Sequence, residues 1–248
     1  IQSVRKFLTL YPNHFAILLI LIFWIRQYFV EKHSRMVDIW IIILILLSLS
    51  RVAIATFLIS FIVNIIMSKD INKWKKPLIL LIVLSLFIPV AFYLIEAKEQ
   101  SVGSTLNRTY YSRIARWEAA IDHFKQSPII GTGFDRTTNV ISSYRTISGK
   151  QGALGSMHND YIDLLLKGGV LGLLTFFAVL IGIFFIGIKY NKGLVLLLLS
   201  IMLTAFFQNP IKTISIMFCL YITTGVVLIN VSQDKNIRKS RKKISFKV

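Results

Sequence analysis

Four side chains in this sequence have the types and settings that could hold an anion and move a proton. Arg51 closes the stretch Leu47-Ser48-Leu49-Ser50-Arg51, in a very short break between two apolar runs. A guanidinium is permanently charged and can grip a phosphate through two parallel hydrogen bonds. The competing role for Arg51 is to snorkel from a helix end to lipid headgroups. Arg113 and Arg116 lie three residues apart within Tyr110 to Lys125, so on a helix their guanidinium groups are neighbours. Trp117 follows Arg113 by one turn, where an indole at a membrane interface fixes the depth of the charge. The competing role for this pair is a headgroup-facing rim. His158 sits in Ser156-Met157-His158-Asn159-Asp160-Tyr161, just before a long apolar run. Imidazole has an unperturbed pKa near neutrality and can accept the proton of an attacking hydroxyl, although a histidine at a helix entrance more often serves structure.

Other chemistries find less support. His14, His33 and His123 stand apart from these groups, and no His/Asp/Glu set has the spacing of metal ligands, so no metal and no cofactor are expected. Clustered arginines could replace a divalent ion in neutralising a leaving diphosphate. Gly131-Thr132-Gly133 is not a phosphate loop, because it lacks a preceding strand and a following Lys-Ser/Thr. The single cysteine, Cys219, lies inside an apolar run and rules out an internal disulfide framework.

The elements that must position these residues are membrane helices. Of 248 residues, 55% are hydrophobic, and the mean hydropathy is +0.67, too apolar for a soluble domain of this length. Seven stretches, about 14–30, 37–50, 52–68, 77–95, 161–188, 193–208 and 212–231, are candidate spans. The fold class expected is an all-α polytopic membrane protein. The chain begins at Ile1 without a signal segment and reads as a fragment.

Charge placement orients the spans. The net charge of +18 is concentrated at Lys32 and Arg35, at Lys69 to Lys76, at Lys189 and Lys192, and in the tail from Lys235 to Lys247. These occupy every second connection, which assigns them to the cytoplasm. The tail then rests on anionic membrane lipids. No aromatic-interleaved basic domain accompanies it, so a nucleic-acid partner is not expected.

The division expected is helices over 1–95, an extracytoplasmic segment over 96–160, helices over 161–231 and a basic cytoplasmic tail over 232–248. The long segment is the anomaly, being rich in charge and too long for a connector. Within it, Ile114, Trp117, Ile121 and Phe124 recur at amphipathic-helix spacing, which predicts a surface helix ended by Pro128. Ser142 to Gly155 is polar and Gly-containing.

Four pieces in order carry a family resemblance: Ser50-Arg51 before a helix, Arg113-Ile114-Ala115-Arg116-Trp117, Pro128-Ile129-Ile130-Gly131-Thr132-Gly133, and His158-Asn159 followed by Gly169-Val170-Leu171-Gly172. Together they resemble the O-antigen ligase family, over about residues 37 to 188. The resemblance implies a GT-C-like multi-span glycosyltransferase of the bacterial cytoplasmic (inner) membrane, with its active site on the periplasmic side. It implies an undecaprenyl-diphosphate-linked glycan as donor, a lipid A-core, glycan or protein acceptor, inverting transfer, and neither metal nor nucleotide sugar. Carried over by position, Arg51 and Arg113 grip the donor diphosphate with Arg116 in support. His158 is the catalytic base, and Trp117 and Asn159 assist. A repeat-unit polymerase is the nearest alternative. A lipid-linked glycan transporter is the alternative of another class, and it would call for ionisable residues near mid-membrane and broken helices.

Overall fold

The computed structural model describes residues 12–32, 34–69, 71–85, 89, 105–133, 158–208, 210 and 214–245. Most of the second half of the expected span 77–95 and much of the segment 96–160, including Ser142 to Gly155, lie outside those residues. Among the described residues all regular structure is helical: α1 (Pro12–Phe29), α2 (Arg35–Leu47), α3 (Arg51–Met67), α4 (75–85), α5 (Thr105–Phe124), α6 (Asp160–Tyr190), α7 (Lys192–Ala205) and α8 (Ile214–Ser245).

α7 is the hub. Leu194, Val195, Leu196, Leu197, Leu198 and Ile201 are all buried, so this helix is covered on every face, by α1, α3, α6 and α8. Its polar side chains are satisfied within the helix: Ser200 Oγ donates to the Leu196 carbonyl at 2.8 Å and Thr204 Oγ1 to that of Ser200 at 2.8 Å. α1 and α3 run parallel beside it. Phe23 meets Phe57 edge to face, Trp24 Nε1 donates to Ser60 Oγ at 3.2 Å, and the Tyr28 hydroxyl donates to Asn64 Oδ1.

The basic connections gather at one end of this bundle. Lys76 Nζ and Lys192 Nζ donate to the Ile66 and Met67 carbonyls, each at 2.7 Å, and so neutralise the negative end of α3. Arg26 pairs with Asp38 at 3.0 Å across the turn between α1 and α2.

Two helices, Asp160–Tyr190 and the Ile216–Gln233 part of α8, are long and apolar enough to cross a membrane. Neither is the mostly buried core helix of a soluble protein, because only 17% and 28% of their apolar windows is buried. α1, α3 and α7 are shorter apolar helices. The helical backbone of α8 continues past the apolar pattern to Ser245, since the tail's Lys, Arg, Ser and Asn residues include no Pro or Gly to stop it.

The largest departure from the sequence reading is in α6. A straight helix would separate Tyr161 from Phe177 by about 24 Å at 1.5 Å per residue. Their rings instead stack with centroids 5.7 Å apart and planes 11° from parallel. The break is Gly169, at φ 63 and ψ −164. A short arm, 160–168, therefore folds back beside a long arm, 170–190. The expected single span over 161–188 is two segments, and only the long arm has the reach of a span.

Candidate functional site

The break in α6 is held from outside the helix. Breaking a helix strands carbonyls on one side and N–H groups on the other, and the stretch after α5 supplies partners for both. Val170 and Leu171 N–H donate to the Pro128 and Ile129 carbonyls at 2.9 and 3.1 Å. In the other direction Thr132 and Gly133 N–H donate to the Leu166 and Lys167 carbonyls at 2.8 and 3.0 Å. Thr132 Oγ1 adds a second bond to Leu166 O at 3.1 Å. The turn carrying Pro128 and Gly131 is closed by Gly131 N–H on Ser127 O at 2.9 Å. The Pro-x-x-Gly-x-Gly stretch is thus a backbone clamp on the helix break.

The short arm starts at the expected base. His158 adopts a left-handed backbone, φ 52. Asn159 caps the arm, its Oδ1 accepting from Tyr161 and Ile162 N–H at 3.0 and 3.1 Å. The Tyr161 hydroxyl donates to the Met202 carbonyl at 2.8 Å and its ring packs on Phe206, which ties the arm to the far end of α7. His158 stands immediately before a helix start, as its place in the sequence predicts, and that helix is the folded-back arm, since the long arm begins at the clamp on Gly169.

Arg51 opens α3 after a tight turn of the same design. Leu49 is left-handed at φ 51, and Ser50 caps the helix by accepting from Ala53 N–H at 3.3 Å. Among the described residues, Leu49 and His158 are the non-glycine positions with positive φ, and each directly precedes the N-cap of a helix, Ser50 before α3 and Asn159 before α6. Since α3 ends where α7 begins, at the Lys192–Met67 contact, Arg51 lies at the opposite end of α7, the end to which Tyr161 is tied. Arg51 and His158 therefore share one end of the bundle on different walls, α3 and the short arm, with α7 common to both.

Arg113, Arg116 and Trp117 are on α5, which starts at Thr105, earlier than its apolar pattern begins. α5 packs against the short arm through Ala119, Ala120, Leu166 and Ile162, whose small members let the backbones approach. The Nε atoms of both arginines are buried, and that of Arg113 has no hydrogen-bond partner among the described residues. Burial, and then the charge of Arg116, push the Arg113 guanidinium below its ordinary pKa. Two half-buried cations held side by side are an electrostatic arrangement that an anion would relieve.

From the sequence, Gly131 and Gly169 carry no structural role of their own, and Asp163 and Lys167 are not read as a pair. Gly131 and Gly169 make the clamp possible, and Asp163 and Lys167 form a buried ion pair at 3.0 Å within the short arm. Gly168-Gly169 following Lys167 inside an apolar run was the available signal for the break. Among the described residues no group of three or more His, Cys, Asp or Glu is placed to hold a metal ion.

Fold and site together define an all-helical protein with membrane-length helices, whose most distinctive region is a clamped helix break beside paired arginines. Residues 36–177 match the O-antigen ligase family. The match covers more than half of the chain, and the chain belongs to that family. Its function is accordingly of the O-antigen ligase or polymerase type, in glycan biosynthesis, with a lipid-linked glycan and an acceptor as its general partners. No curated protein and no solved structure shows a significant match.

Proposed function

We propose that the chain is a glycosyltransferase that moves an undecaprenyl-diphosphate-linked glycan onto an acceptor hydroxyl at the outer face of the cytoplasmic membrane. Seven spans, formed by α1 to α3, the segment containing α4, the long arm of α6, α7 and α8, place the basic end of the bundle in the cytoplasm. Residues 96–160 are then extracytoplasmic and 232–248 cytoplasmic. The acceptor oxygen attacks the anomeric carbon as the bond from that carbon to the diphosphate oxygen breaks, with inversion. His158 accepts the proton that the acceptor loses, while Arg51 and Arg113, supported by Arg116, stabilise the charge gathering on the departing diphosphate. Trp117 sets the depth of the arginines and Asn159 the start of the arm that carries His158.

The observation that carries this reading is the buried Arg113 Nε beside Arg116, on the helix that packs against the arm opened by His158 and Asn159. The test is transfer in vesicles from a purified lipid-linked glycan to candidate acceptors. Arg51→Ala, Arg113→Ala and His158→Ala should each abolish covalent product while the protein still inserts; full activity in all three rejects the assignment. Product length separates the polymerase alternative, since loss of a polymerase leaves single-unit transfer intact. The broken α6 with its buried Asp163–Lys167 pair is the kind of feature a transporter would show. A transporter would move the labelled lipid across the vesicle without forming any covalent product.

A further inference from the structure

The clamp that holds the α6 break also fixes two isoleucines in an unusual setting. Ile129 and Ile130 are 64% and 69% exposed in a turn that is pinned to α6 through the Pro128 and Ile129 carbonyls and the Thr132 and Gly133 N–H groups. Such pinning makes their exposure a fixed property of the turn. Large aliphatic side chains held outward at a tight turn have no solvation benefit in water.

Their neighbours indicate what covers them. Ile129 is bonded through its carbonyl to Leu171, at the outer start of the long arm. Val170, Leu171 and Leu174 are exposed as well, so outward-facing apolar side chains continue from the turn into the membrane-length helix. From Val170 to Tyr190 the arm measures about 30 Å at 1.5 Å per residue, the thickness of a hydrocarbon core, which puts the turn at the outer boundary of that core. On the α5 side the character reverses within a few residues, where Asp122 and Lys125 form an exposed ion pair at 2.8 Å.

We infer that this turn is an elbow seated in the outer leaflet, with Ile129 and Ile130 among the lipid acyl chains, and that it anchors α5 and its arginines at the membrane surface. The inference rests on the proposed orientation of the long arm as a span, and goes beyond it by assigning a lipid-binding surface to a loop of the extracytoplasmic segment. Acyl chains are favoured over a protein partner by the continuity with the outward face of the long arm.

Site-directed spin labelling of the whole chain tests it. Cys219 is the one cysteine, so Cys219→Ala supplies the background for Ile129→Cys, Ile130→Cys, Lys125→Cys and Leu174→Cys, each labelled and reconstituted in phosphatidylethanolamine–phosphatidylglycerol vesicles. Collision with oxygen reports lipid and collision with a water-soluble nickel chelate reports water. The expected result is an oxygen-to-nickel ratio at 129 and 130 closer to that of Leu174 than to that of Lys125. A ratio equal to that of Lys125 overturns the elbow. Low collision with both reagents also overturns it, by showing that protein, another segment or a second copy, covers the turn. If Leu174 itself collides with nickel as Lys125 does, the span fails and the elbow fails with it.

Discussion

Gly131 and Gly169 face each other so closely that a Cβ built on either would lie 2.5 Å from the backbone nitrogen of the other. Both also have left-handed backbones, φ 71 and φ 63. The clamp therefore excludes any side chain at these positions on two independent grounds, strain and collision with backbone that cannot rotate away.

A graded series of alanine substitutions follows. Gly172→Ala meets nothing within 4 Å and has no positive φ, so it should leave stability unchanged or slightly raised. Gly133→Ala also meets nothing but sits at φ 84, and should cost about 1–2 kcal/mol from backbone strain alone. Gly131→Ala and Gly169→Ala add backbone collision and should cost more than Gly133→Ala, by at least a further 1 kcal/mol or so. Thermal unfolding in detergent micelles orders the four; a Gly131→Ala protein as stable as Gly172→Ala would show that the clamp is not built as described.

His158 gives a prediction in which stability and activity part. Its left-handed φ of 52 is adopted more easily by Gly or Asn than by Ala. His158→Gly and His158→Asn should therefore be more stable than His158→Ala by about 1 kcal/mol, yet none of the three should transfer glycan if the imidazole is the base. Unfolding temperatures with transfer assays on the same preparations decide this. Retained transfer in the Asn variant would leave His158 with a structural role only.

The sequence made the helices legible because the apolar runs are long and the Lys and Arg clusters separate them. The amphipathic face of α5 was legible from Ile114, Trp117, Ile121 and Phe124, and the helix-opening Arg51 from the Ser50 that precedes it. The break in α6 was not. Its only local mark is Lys167-Gly168-Gly169, and the groups that stabilise the break belong to Pro128, Ile129, Thr132 and Gly133, more than thirty residues earlier in the chain. Hydropathy and periodicity report local burial, whereas a backbone clamp is a non-local exchange of hydrogen bonds. At the site, the candidate residues are named from their types and the alternation of basic connections already puts Arg51 and His158 on one side of the membrane, but the walls that carry them depend on how α7 joins α3 to the short arm.

Two ion pairs of similar length should differ in energy because of their surroundings. Asp163–Lys167 spans 3.0 Å with side chains 8% and 13% exposed, while Asp122–Lys125 spans 2.8 Å with side chains 71% and 68% exposed. Removing one partner of the buried pair leaves a charge in low dielectric and should cost about 3–5 kcal/mol. Removing one partner of the exposed pair should cost about 0–1 kcal/mol. Asp163→Ala and Asp122→Ala, compared by unfolding, test the contrast, and a double substitution with Lys167→Met should recover much of the loss at the buried pair. Equal effects at the two sites would mean that the short arm is open to water.

Arg113 is the position where the ligand-free protein should gain from losing a functional group. Its folded-state pKa lies below its ordinary value because of burial and the charge of Arg116. Keeping it protonated therefore costs folding free energy throughout the neutral range, and that cost is relieved only in strongly alkaline solution. Arg113→Ala should leave the unfolding temperature unchanged or raised, whereas transfer should be lost. Inorganic pyrophosphate separates binding from packing. At a hundred times its dissociation constant it should stabilise the wild-type chain by about 2.7 kcal/mol, and it should stabilise Arg113→Ala clearly less at the same concentration. A titration followed by thermal unfolding measures both. If pyrophosphate shifts the two proteins equally, the buried guanidinium is part of the packing of α5 against the short arm and does not hold the donor's diphosphate.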